Sequence, residues 1–289
     1  MARILRTFAG GNSRITLSSF FLWFVGLIVA FIWILPFVWM VSSSFKLPGD
    51  IMTREIQWIP RAVTLENYVV VFEKPVLRWM WNSVFVTTCV TVLSVLFGAL
   101  AGYALARMNF PGRNVFFIAL LASLMIPNEL TIIPRFIAFL QVRMTDSYTA
   151  LILPPLAEVF SVYLFRQFFL SLPRELEEAA AIDGASRFRI FLIIALPLAR
   201  SVIIAAAVLI FTTNWNAFLW PLLIVFTEEM KTLPIGMAMY APLANIDTQM
   251  ESFAPGMAAM TILGLPSLVV FLILQRYFME GVISTGIKG

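Results

Sequence analysis

The chain has 289 residues, 61% of them hydrophobic and only 12% charged, with a formal net charge of +4, and its mean hydropathy is +0.91. That balance excludes an ordinary soluble domain and places the chain in a bilayer. With no histidine and a single cysteine, Cys89, it also lacks the parts for a disulfide framework, a cysteine metal cluster, most zinc sites and any serine or cysteine nucleophile paired with histidine.

In chain order, Arg3, Arg6 and Arg14 precede a run from about 17 to 41 with no charge before Lys46. The run is far longer than the 7–15-residue apolar region of a signal peptide, so it is expected to be a span. A second span is expected over about 82–106, between Arg78 and Arg107. The third, about 114–133, carries Pro127, Asn128 and Glu129 near its far end, and the fourth, about 148–169, carries Pro154, Pro155 and Glu158. The fifth and sixth, about 201–225 and 254–278, are charge-free as far as Arg276. Each run approaches the roughly 20 residues that a helix needs to cross a hydrocarbon core, where its backbone finds no other hydrogen-bond partner.

Lys and Arg close to span ends stay on the cytoplasmic side. Arg3, Arg6 and Arg14, then Arg107 and Arg113 around the Asn109-Phe110-Pro111-Gly112 turn, then Arg187, Arg189 and Arg200, all fall on one side of a six-span chain. The connection after the fifth span carries Glu228, Glu229, Asp247 and Glu251 against Lys231 and is expected outside. The expected organisation is a cytoplasmic segment 1–16, an all-α membrane domain of six helices over 17–278, and a cytoplasmic tail 279–289. The basic residues are scattered, so the expected surroundings are membrane lipid and no nucleic acid.

Between the fourth and fifth spans, about 171–197 reads as helix, turn, helix. Glu175, Glu177 and Glu178 favour the positive end of a helix dipole, and Leu172, Leu176, Ala179 and Ala180 recur as a narrow apolar face. Asp183-Gly184 supplies a stop at which glycine adopts positive φ. A short amphipathic helix held outside the membrane suits docking into a groove on another protein.

Glu178-Ala179-Ala180, then Gly184 after three residues, then Ile194-Ala195-Leu196-Pro197 after nine more, resembles the EAA loop of binding-protein-dependent ABC importer permeases. Leu164 to Phe169, Ile182 to Ser186, Trp215 to Leu223, Gln275-Arg276 and Lys288-Gly289 are similar to the carbohydrate-uptake class, with the maltose-type and glycerol-3-phosphate-type inner-membrane permeases as its nearest likenesses. Phe253-Ala254-Pro255-Gly256-Met257 stands where that class often has a tryptophan. The resemblance implies a type I importer permease of the inner or plasma membrane whose cytoplasmic coupling helix inserts into an ATPase, with Glu178, Ala179, Ala180, Asp183 and Gly184 as the coupling residues. It implies as partners a homologous second permease forming a heterodimer, two cytoplasmic ATPases and an extracytoplasmic solute-binding protein. No Gly-x-x-x-x-Gly-Lys-Ser/Thr run is present, so the chain is not expected to be an enzyme; ATP and Mg are expected on the partner subunits, with no cofactor or metal site here.

Glu158 in a span is costly in hydrocarbon and must face either a cavity or a partner helix. It is a candidate for the translocation path, together with Asn214, Trp215 and Asn216, which interrupt the fifth span with two amides around an aromatic, and with Asn128 and Glu129, a possible outer gate. The plain alternatives are a hydrogen-bonded carboxyl at a helix interface, amides bonded to a neighbouring helix and a position among lipid headgroups. A sugar is the expected solute; the alternatives are glycerol 3-phosphate or its diesters and, in a different class, an ion-coupled secondary transporter using Glu158.

Overall fold

The computed structural model describes residues 17–51, 57–241 and 246–286. The expected basic start (Arg3, Arg6, Arg14) and Lys288-Gly289 lie outside the described residues. All regular structure among the described residues is helical. Helix α1 is Leu17–Ser44, with Pro36 inside it. After it come α2 (Glu66–Phe72), α3 (Val76–Arg107), α4 (Arg113–Ser123), α5 (Asn128–Gln141), α6 (Tyr148–Ile152), α7 (Val159–Ser171) and α8 (Glu175–Ile182). The remainder are α9 (Arg187–Ile190), α10 (Leu196–Leu198), α11 (Arg200–Trp215), α12 (Leu219–Ile224), α13 (Leu233–Ala238) and α14 (Ile246–Gly286).

Among the described residues, three stretches are long and apolar enough to cross a bilayer unaided: Phe20–Ser44, Val76–Arg107 and Phe253–Ile273. Three further pairs pass the same test together but are bent: Arg113–Ser123 with Asn128–Gln141 by 98°, Tyr148–Leu156 with Val159–Ser171 by 41°, and Arg187–Leu198 with Arg200–Trp215 by 77°. The expected third span, 114–133, is therefore not one straight helix. The chain breaks after Ser123 and restarts at Asn128 behind Pro127, which disfavours helix in the residue before it. The fifth helix ends at Trp215 rather than near 225, and α14 begins at Ile246, so Asp247 and Glu251 belong to a helix and not to a loop. The second span opens at Val76, placing Arg78 inside α3.

One compact unit comprises the described residues of Met1–Val70 with those of Pro242–Thr261. In it Asn67 donates to the carbonyls of Ser44 (2.9 Å) and Lys46 (2.8 Å), and the Thr64 amide donates to Phe45 O at 3.0 Å, closing the end of α1. Lys46 is buried, donates to Ser43 Oγ and Gln57 O, and lies 5.6 Å from the Trp39 ring. Burial pushes its ammonium below the usual lysine range, opposed by the charge of Asp50.

The other unit comprises Val71–Ala241 with the described residues of Ile262–Gly289. Its spine is α3, packed against α7 and α11. Gly98 and Gly102, four residues apart, let α7 approach closely: a Cβ on Gly102 would stand 2.6 Å from Phe165 Cβ and 2.8 Å from the Arg166 backbone nitrogen. Val90, Ala99, Phe165, Phe169, Phe191 and Ala195 fill the core around this contact.

Candidate functional site

Helix α8 follows Pro173 and Arg174 and carries Glu175, Glu177 and Glu178 in its first turn, where they complement the helix dipole. It ends in a Schellman motif: the Gly184 amide donates to Ala181 O at 3.1 Å and the Ala185 amide to Ala180 O at 3.0 Å. Gly184 has φ of 82°, the conformation that glycine accepts without strain. Ser186 then caps α9, its hydroxyl accepting from the Arg189 amide at 3.4 Å. Glu178, Ala179, Asp183 and Gly184 are exposed and Ala180 is half-buried. Ile182 (87% exposed) and Phe188 (63%) present apolar surface beside them. The expected apolar face is thus open at Leu176 and Ala179, while Leu172 lies in the turn after α7, half-buried.

Sequence reasoning gave Glu177 a place at the helix dipole but not its tertiary partners. Arg107 Nε meets its Oε1 at 2.8 Å, and Tyr103 OH donates to its Oε2 at 3.1 Å. Local periodicity cannot reveal partners about 70 positions away; the only visible signal was an arginine closing the charge-free run of α3.

The path candidates converge in part. A cleft of about 390 Å³ is lined by Asn128, Glu129, Glu158 and Asn214 among others, and an adjoining cleft of about 330 Å³ shares Asn128 and Glu158. These residues lie at helix ends: Asn128 and Glu129 open α5, Glu158 immediately precedes α7, and Asn214 is the penultimate residue of α11. Irregular backbone at membrane depth is tolerated where it lines a cavity. Trp215 and Asn216 do not line either cleft. Trp215 is buried, donates its indole N–H to Leu263 O at 3.1 Å and stacks on Phe211. Asn216 is exposed and donates back to Thr212 O at 2.8 Å. Arg135, not singled out from the sequence, lines the larger cleft; it donates to Thr131 Oγ1 at 3.0 Å and lies 5.5 Å from the Trp220 ring.

The segment between α12 and α13 is fastened to α3 and to the loop before α6. Asn82 donates to the carbonyls of Glu229 (2.7 Å) and Lys231 (2.8 Å), and Trp79 donates to Glu228 O at 2.9 Å. Asp146 accepts from the amides of Phe226 (2.9 Å) and Thr227 (3.2 Å) and from the Thr227 hydroxyl at 2.9 Å. Burial pushes the Asp146 carboxyl up, but these three donors outweigh it and hold the group below its ordinary value.

Residues 94–283 match the family of binding-protein-dependent transport system inner membrane components. The chain belongs to this family. It is 39% identical over 266 residues to the arabinooligosaccharides transport system permease protein AraQ of Halalkalibacterium halodurans, covering 90% of this chain and 93% of that one. It is 39% identical over 204 residues to the sn-glycerol-3-phosphate transport system permease protein UgpE of Pectobacterium atrosepticum, covering 71% and 72%. A similar fold is seen in the crystal structure of a bacterial ABC transporter involved in the import of the acidic polysaccharide alginate, with a TM-score of 0.78 at 21% identity, over 92% of this chain and 100% of that one. The protein is a membrane-embedded transport subunit and not an enzyme, and the family region contains α8 and every cleft residue from Asn128 to Asn214.

Proposed function

We propose that this chain is one half of the translocation path of an ABC importer for a sugar or short oligosaccharide, working with a homologous permease, two ATPases that bind ATP and Mg, and an external solute-binding protein. The three long apolar helices and three bent pairs are read as six spans with both termini in the cytoplasm. Glu178, Ala179, Ala180, Asp183 and Gly184 form the surface that the ATPase receives. The observation that carries this reading is the exposed, Gly184-terminated α8 on a chain whose three broken helices meet at a polar cleft.

The cleft's chemistry supports a neutral solute. Asn128, Asn214, Thr87 and Thr213 offer hydroxyl and amide partners, and Phe218 and Trp220 offer aromatic faces. Glu129 and Glu158 outnumber Arg135, whose guanidinium is already engaged by Thr131 and Trp220, so a dianionic phosphate is disfavoured. Likeness to UgpE supports the glycerol 3-phosphate alternative. Reconstituted with its ATPase and binding protein, the complex should hydrolyse ATP faster with arabino-oligosaccharide-loaded than with glycerol 3-phosphate-loaded binding protein. The reverse order would transfer the assignment to the phosphate ester, and gradient-driven uptake by this chain alone would overturn the importer reading.

A further inference from the structure

One side of α8 faces outward, and the other is fastened to the helical bundle through Glu177. Both of its carboxylate oxygens are engaged by the last two turns of α3, by Arg107 Nε and Tyr103 OH. Arg107 also donates through Nη2 to Leu172 O at 2.7 Å, in the turn that ends α7. The side chains of Arg107 and Glu177 are 7% and 17% exposed. Tyr103 is buried, its ring edge-on to Phe169 at 5.3 Å and tilted against Phe191 at 5.1 Å. The carboxylate is thus clamped by donors that are themselves held by packing.

A helix of 8 residues joined to its neighbours through turns conveys little force along the chain itself. A buried charged pair with fixed partners is a stiffer link. Helix α3 runs 32 residues from this link, and near its other end Ser83, Val86 and Thr87 line the cleft. We propose that Glu177, gripped by Arg107 and Tyr103, is the positioning residue through which a displacement of α8 reaches α3 and the cleft. This rests on α8 being the surface that an ATPase receives, and it assigns to Glu177 a task distinct from that of the neighbouring, exposed Glu178.

The test uses the full chain co-expressed with its partner permease, ATPase and solute-binding protein, reading ATPase recovery, ATP turnover and solute taken up per ATP. In Glu177→Gln, recovery and turnover should stay near the unsubstituted level while uptake per ATP falls about tenfold, within the usual span of coupling between sites. The reversed pair Arg107→Glu with Glu177→Arg should regain more of that ratio than either single change. A staple that merely stabilised α8 would instead lower abundance and recovery together and leave the ratio unchanged. An unchanged ratio in Glu177→Gln, lost ATPase recovery in that variant, or purely additive losses in the reversed pair would each overturn the proposal. Failure of the unsubstituted chain to recover any ATPase would instead overturn the reading of α8 on which it rests.

Discussion

At Gly184 and Asp146 the backbone adopts positive φ, of 82° and 51°, and each residue shapes one loop. A Cβ on Gly184 meets nothing within 4 Å, so substitution there strains the backbone and leaves the chain's own packing untouched. Left-handed backbone costs an ordinary residue about 1–2 kcal/mol, and a β-branched one more. Gly184→Val should insert at normal abundance and fail to recover the ATPase, whereas Gly184→Asn, which tolerates the conformation, should retain part of it; equal recovery in both would show that the turn does not present α8. Asp146 is held below its ordinary value by the Phe226 and Thr227 donors. A depressed carboxyl contributes stability that is fully present above its unfolded pKa, about 3.9, and is lost as pH falls through the lower folded value. Asp146→Asn keeps a residue tolerant of this backbone and removes the charge. It should lower thermal stability in detergent near neutral pH and flatten the acid limb of the pH profile; an unaltered acid limb would leave the carboxylate without that role.

At the level of elements, the α3–α7 contact distinguishes two glycines that look alike in sequence. At Gly102 an added Cβ meets the fixed Phe165 Cβ at 2.6 Å and the Arg166 backbone nitrogen at 2.8 Å, whereas at Gly98 its nearest neighbour is the Ser161 hydroxyl and the fixed atoms stand farther off, Ser161 Cβ at 3.0 Å and Ser161 C at 3.4 Å. A hydroxyl can rotate away and a backbone atom cannot. Gly102→Ala is therefore expected to cost about 1–3 kcal/mol, the usual penalty for overpacking, and Gly98→Ala less, as measured by thermal unfolding in detergent; the opposite order would contradict the packing described. The charge-free runs that became α1, α3 and α14 were legible because nothing else accounts for so long an apolar stretch. The turn at Gly184 was legible because its signals are local. The 98° break before Asn128 was not, since hydropathy averaged over a window reports depth and not direction, even with Pro127 marking the place. Of the six cleft candidates, four line the cleft and two do not: Trp215 reads as a solute-stacking aromatic until its indole is seen bonded to Leu263 O.

Across the larger unit, α3 gives the molecule a polarity that can be measured. Its first turns are bonded to the 228–231 segment through Trp79 and Asn82, and its last two turns are bonded to α8 through Tyr103 and Arg107. A helix of 32 residues is about 48 Å long at 1.5 Å per residue, more than the roughly 30 Å of a hydrocarbon core. The 228–231 segment and α8 are therefore expected on opposite sides of the membrane, with α8, by the arginines around the Asn109 turn, expected in the cytoplasm. With the single Cys89 replaced by alanine, Glu229→Cys and Ile182→Cys place one thiol at each end, both at exposed positions. A membrane-impermeant maleimide applied to intact cells should label the cysteine at 229 and spare the one at 182, and inverted vesicles should give the converse. Labelling of both from the same side would contradict the spanning of α3 itself, whereas a clean exchange of sides would keep the helix and reverse the orientation, leaving α8 on the wrong side to meet an ATPase.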